Sequence, residues 1–182
     1  MGLAMVTDQH RQIDLFASVG RLPAASMVIV RHRDEAQRRS LALALRPLCR
    51  SQRLFLLVAG DIKLAIELGA GLHLPEHMLK QPLARIRLWH RQGRHIMTAA
   101  AHNRSALVKA HRGGVDAAFL SPVFPTKSHP QTKALGGLSF RRMLRYSKIP
   151  IFALGGINGR SVLALRQSGA AGIAAIDGLS VK

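Results

Sequence analysis

The apolar run IFAL at 151–154 ends in Gly155-Gly156, and an Asn158-led helical pattern follows. Glycines let a backbone come close to a ligand, and a helix start offers free N–H groups to an anion. The pattern suits a phosphate cradle, and equally a plain turn closing a β-α connection; a further glycine, Gly178, after the next strand candidate favours the cradle. A second segment, Ser121-Pro122-Val123-Phe124-Pro125-Thr126-Lys127-Ser128-His129-Pro130, carries three prolines and four polar donors. It is too long and polar for a minimal turn and reads as an active-site loop. A third, Val30-Arg31-His32-Arg33-Asp34, sets two guanidiniums two residues apart, on one side of a strand if the strand persists. Such a pair suits a pyrophosphate, or pairs with the neighbouring Asp34 and Glu35.

The histidines say less. His73 sits between leucines in a strand pattern and reads as packed and hydrogen-bonded. Pro75 breaks the helical spacing that would make His73 and His77 a metal pair. His102 follows three alanines at a strand end. The lone Cys49 reads as buried and inert.

These residues need a frame that brings loop ends together. Strand patterns fall at 3–7, 27–31, 54–59, 71–74, 95–99, 117–121, 150–154 and 172–176, the spacing of β-α units. Runs such as MVIV and LFLLV are continuously apolar, as buried parallel strands are. Helical patterns lie between, at 34–50, 103–112 and 158–168 among others, the last two opening on a capping Asn. Eight such units predict an α/β fold, a (β/α)8 TIM barrel spanning 1–182 as one domain. An open doubly wound sheet would put a Gly-rich loop after the first strand, where Thr7-Asp8-Gln9-His10 stands instead. The sequence stops six residues after the eighth strand pattern. The last helix is therefore expected to be largely missing, leaving a gap or a face covered by a second copy in a homo-oligomer.

Composition narrows the classes. Apolar residues make 48% of the 182, which excludes a disordered chain, and no run is long enough for a membrane span. No secretory signal is read, and a single cysteine builds no disulfide framework, so a cytoplasmic setting is expected. The formal charge is +18, from 27 Lys and Arg against 9 Asp and Glu. The basic residues are scattered along helical segments without interleaved aromatics. They read as solvated helix faces rather than a nucleic-acid surface, with some charge left for a phosphorylated small molecule.

The segments together resemble the thiamine phosphate synthase and thiazole tautomerase-like family. MVTD resembles its first-strand LITD, VIVRHRD its VQLREKD, LAIELGAGLHLPEHM its LALELGADGVHLGQEDL, and AAAHN its GVSTHN. VDAAFLSPVFPTKSHP and IPIFALGGI match strands six and seven almost residue for residue. The resemblance implies a (β/α)8 barrel in thiamine biosynthesis that joins a pyrimidine pyrophosphate to a thiazole phosphate with Mg²⁺, releasing pyrophosphate.

Carried over by position, Gly155, Gly156, Thr126 and the backbone at Ile176 and Asp177 fall on the thiazole-phosphate side, with Ser128 beside them. Asp177 replaces a commoner Ser. Arg31 and Arg33 match the Arg and Lys of the pyrophosphate side. His129 aligns with the loop lysine, and Lys127 stands two residues away. The metal aspartates align with Gly60 and Met78, Asp61 being one place displaced, so no metal ligand is assigned. Asp61 is expected to turn from the mouth or pair with an Arg. Three other readings stand beside a transferase with a divergent metal site. They are a catalytically degraded phosphate-binding or regulatory member, a tautomerase whose proton-transferring His falls at Pro122, and a polyanion-binding protein.

Overall fold

The computed structural model describes residues 1–8, 14–93, 95–126 and 131–176. Lys127, Ser128, His129, Asp177 and the place of an eighth helix lie outside them. The order is β1 (Gly2–Val6), α1 (Leu15–Gly20), β2 (Met27–Val30), α2 (Glu35–Ser51), β3 (Phe55–Ala59), α3 (Ile62–Leu68), β4 (Gly71–Leu74), α4 (Ala84–Gln92), β5 (Met97–Ala101), α5 (Arg104–Gly113), β6 (Ala117–Leu120), α6 (Gly136–Tyr146), β7 (Ile151–Leu154) and β8 (Gly172–Ala175). A 3₁₀ turn at Glu76–Lys80 precedes α4, and another at Leu163–Leu165 lies between β7 and β8. All eight strands pair in parallel in chain order, and β8 returns to β1 to close the barrel.

Strand alternation divides the apolar residues into two layers. Val6, Ile29, Leu57, Phe119 and Phe152 fill the lumen. Met5, Val28, Val58, Leu72 and Leu120 face outward against Val19, Leu45, Leu64, Leu107 and Phe140 of the helices. Four helices begin with a side chain that caps the first turn. Asp14, Asp34, Asp61 and Asn103 accept from Ala17, Gln37, Leu64 and Ala106 N–H at 2.7–3.0 Å. These helix starts follow strand ends, so the caps ring the C-terminal mouth.

Two expectations shift. β5 begins two residues late, because His95 belongs to the end of α4: its ring stacks on Trp89 at 5.0 Å and its carbonyl meets His90 Nδ1 at 2.9 Å. The helix expected at 158–168 does not form. Asn158 Oδ1 accepts the N–H groups of Arg160 and Ser161 at 2.9 and 3.0 Å, and Ser161 Oγ accepts that of Asn158 at 2.8 Å. That is a capping pattern, and the Val162 N–H reaches the Asn158 carbonyl at 2.9 Å, but the turns after it close three residues apart, with Leu165 N–H on Val162 and Arg166 N–H on Leu163, before Gln167 and Gly169 take φ of 59° and 88°.

Closure depends on the seam. Phe152 stacks on Phe119 at 5.1 Å, and its ring lies against the start of β8. A Cβ on Gly172 would fall inside that ring's van der Waals surface and 2.5 Å from the Gly2 carbonyl oxygen. Gly172→Ala is expected to lower stability by about 1–3 kcal/mol through overpacking. Phe152→Leu in the same chain should recover part of that loss and not all, since the Gly2 contact stays. Urea unfolding of the two single variants and the double variant measures the coupling.

Candidate functional site

The strand ends converge on the mouth, where side chains and backbone fasten neighbouring loops. Thr7, buried just past β1, accepts the Arg31 N–H on Oγ1 at 3.0 Å, fixing the end of β2. β2 stops at Val30, so strand alternation does not extend to Arg31 and Arg33. Both are exposed, and neither forms an ion pair among the described residues. The carboxylates beside them are committed elsewhere: Asp34 caps α2, and Glu35 lies 3.7 Å from Arg38.

Arg38, in the first turns of α2, reaches under this segment. Its Nη1 donates to the His32 carbonyl at 2.8 Å and its Nη2 to Asp61 Oδ2 at 3.2 Å. Asp61 Oδ1 accepts the Leu64 N–H at 3.0 Å. Asp61 thus pairs with an arginine, as its displacement from the family position suggested.

Across the mouth, Glu76 Oε2 accepts the His102 N–H at 2.8 Å. The His102 ring lies 2.8 Å from the Ser121 carbonyl and 3.2 Å from its Oγ through Nδ1, tying the ends of β5 and β6 together. The loop after β6 then lies on the β7 end, with Val123 N–H on the Leu154 carbonyl at 2.9 Å and Phe124 N–H on that of Gly155 at 3.1 Å. Gly155 and Gly156 take φ of 92° and 66°. A Cβ on Gly155 would sit 2.8 Å from Pro122 Cα, and one on Gly156 2.5 Å from the Pro125 carbonyl. The pair is therefore demanded by the contact between two loops, and the close approach it permits is protein on protein. Its own N–H groups have no acceptor among the described residues. The helix start expected to join them is absent, and the Asn158 and Ser161 amides are taken. Thr126 closes the described part of the β6 loop, and Ile176 follows β8; both have partners.

A model of the thiamine monophosphate synthase family matches residues 3–179. The chain belongs to that family. Similar relatives include a thiamine-phosphate synthase of Chloroflexus aurantiacus, 32% identical over 172 residues, covering 92% of this chain and 76% of that one. One from Chlorobium limicola is 30% identical over 182 residues, covering 98% and 85%. The fold resembles thiamine phosphate pyrophosphorylase from Pyrococcus furiosus at a TM-score of 0.80 and 21% identity, covering 100% of this chain and 88% of that chain.

Mg²⁺, which the family implies, does not fit the residues present. Gly60 and Met78 bring no oxygen side chain to the aligned positions, and both Asp61 oxygens are engaged. Among the described residues no three His, Cys, Asp or Glu side chains gather to hold a metal.

Sequence reasoning missed Arg38 and Glu76. Arg38 looked like one more cation on a solvated helix face; its signal was its place four residues past the Asp34 cap, one turn from the strand end. His73 is packed as expected. It sits in the lumen with Nδ1 2.9 Å from Thr98 Oγ1 and its ring edge-on to Phe119 at 5.3 Å. Burial, with a smaller push from the Arg31 charge, lowers its pKa to about 4. Cys49 is buried, which pushes its thiol up to about 11 and keeps it unreactive.

The His73 shift sets a pH dependence. Between its ordinary value of 6.5 and about 4, the unfolded chain binds a proton that the folded chain refuses. Stability is therefore full above pH 6.5 and falls as pH drops through that window, by about 3 kcal/mol in all. Urea midpoints from about pH 7 to pH 4 should fall less for His73→Gln than for the parent chain.

Proposed function

We propose that this chain is a thiamine phosphate synthase-type transferase acting as a single barrel unit in the cytoplasm. It joins a pyrimidine pyrophosphate to a thiazole phosphate. The observation that carries this reading is a family match running from the first strand to past the last, over a barrel whose mouth keeps the Gly155-Gly156 turn and two arginines without an ion pair among the described residues. No helix among the described residues is long and apolar enough to cross a membrane.

In the reaction, the bond between the pyrimidine methylene carbon and the pyrophosphate oxygen breaks. Both electrons leave with the oxygen, and the thiazole nitrogen lone pair closes on the carbon. Arg31 and Arg33 meet the leaving pyrophosphate and stabilise its growing charge, a role the sequence also assigns to Lys127 and His129. The Gly155 and Gly156 N–H groups, Thr126, Ser128 and the backbone at Ile176 and Asp177 hold the thiazole phosphate. Positioning two anions so that carbon and nitrogen meet is itself a large part of such catalysis.

A second reading, a phosphate-binding member without catalysis, is favoured by the altered metal positions alone. Thiamine phosphate formation from the two substrates separates the two. The cradle has its own test. A thiazole phosphate should raise the melting temperature of the parent chain. Arg33→Ala should keep that shift. Gly156→Val should lose it, because the new side chain forces the β6 loop off the turn. Thr126→Val, which leaves the turn intact, should reduce it. Equal shifts in all four proteins would remove the cradle.

A further inference from the structure

Among the described residues, the carboxylates at the mouth are all committed to the protein itself, Glu35 lying 3.7 Å from Arg38. Asp34 and Asp61 cap helices, Glu76 holds the His102 N–H, and Asp8 also has a partner. Asp61 stands at the end of β3, near the segment that carries Arg31 and Arg33 and runs on into Asp34 and Glu35, and its second oxygen is held by Arg38. Arg38 is nearly enclosed, its side chain 11% exposed. Its Nε is buried with no acceptor among the described residues, and Nδ1 of His32, the residue whose carbonyl it holds, is likewise buried without a partner among them. A buried guanidinium with two of its arms on neighbouring strand ends is a fixed strut, and a rigid fork suits that task better than an ammonium.

We propose that Arg38 is a positioning residue that makes the pyrophosphate half of the mouth a site of cations alone, able to take pyrophosphate without a divalent metal. It acts in two ways. It offsets the Asp61 charge, which would otherwise repel a polyanion nearby, and it fixes the His32 backbone so that Arg31 and Arg33 present their guanidiniums together. Charge leaving with the pyrophosphate oxygen is met by these guanidiniums, with no proton or metal consumed. The inference rests on the transferase reading for its substrate, and on the geometry of Arg38 for its mechanism.

The experiment uses the full chain after exhaustive treatment with EDTA. Calorimetry with inorganic pyrophosphate in EDTA should show binding, and Mg²⁺ alone should give no binding heat. Thiamine phosphate should form at similar rates in EDTA and in Mg²⁺. Arg38→Ala and Arg38→Lys should each weaken pyrophosphate binding about tenfold, the loss expected for a displaced charge-assisted contact. They should raise KM for the pyrimidine pyrophosphate, and keep both KM for the thiazole phosphate and the melting shift it causes. Should Arg38→Ala fail to fold, Arg38→Lys carries the same comparison. Pyrophosphate binding or turnover that appears only with Mg²⁺ overturns the proposal and leaves the transferase reading intact. So does an equal loss of both ligands in the Arg38→Lys variant, which marks a merely structural role. Tight, Arg38-dependent pyrophosphate binding in EDTA without product in either buffer supports the proposal and overturns the transferase reading.

Discussion

The barrel exists because β8 can lie flat against β1, and that contact leaves no room for a side chain where Phe152 fills the lumen. Gly2 pairs with Gly172 at this seam, and the Phe152 ring occupies the space that two Cβ atoms would claim. Once the ring closes, the end of every strand is brought to one rim, and a residue on β2 becomes a neighbour of one on β3 or β1. Thr7, Arg38, Asp61 and His102 then fasten adjacent rims with single hydrogen bonds. Each is individually modest, worth about 1 kcal/mol for a neutral pair and more where a charge takes part. Without closure, these side chains would have nothing to bridge.

Charge distribution is the second organising fact. Nine carboxylates face 27 Lys and Arg side chains, and Asp177 alone among the nine lies outside the described residues. The other eight have backbone or side-chain partners. Three cap helices, Asp116 accepts the Met97 N–H at 2.7 Å, and Glu67 forms a two-pronged pair with Arg39 between α2 and α3. That exposed pair contributes little to stability. The surplus of positive charge is thus not balanced residue by residue. It is left on the surface, and at the mouth on Arg31 and Arg33, where an anionic ligand gains most from it.

Much of this was legible in the sequence. Apolar runs such as MVIV and FLLVA specify buried parallel strands, and the regular spacing of eight of them leaves little choice but a barrel. Asp34 and Asn103 mark their helix starts correctly because capping is a local interaction. The misses come from competition that no local pattern reveals. Asn158 caps a turn with Ser161 as its type suggests, yet the segment after it closes in 3₁₀ turns and breaks at Gln167, whose φ is 59°. His95 looks like a strand residue, yet Trp89 and His90 draw it to the helix. Arg38 looks like a solvated cation, and only the third dimension shows what it touches. The glycine pair reads as a ligand cradle, while in space its missing side chains are needed first by the loop from β6.

Position 60 shows what setting a further carboxylate on this rim would require. Gly60 adopts φ of 72°, and a Cβ there would stand 3.4 Å from Pro75 Cγ. An aspartate there would hold a left-handed backbone, which Asp tolerates better than most residues, with its Cβ in ordinary contact with the proline ring. It would still find Arg38 paired with the neighbouring Asp61, and Met78 standing at the other aligned position. A single substitution at position 60 would therefore not place two free carboxylates on this rim; position 78 would have to change as well.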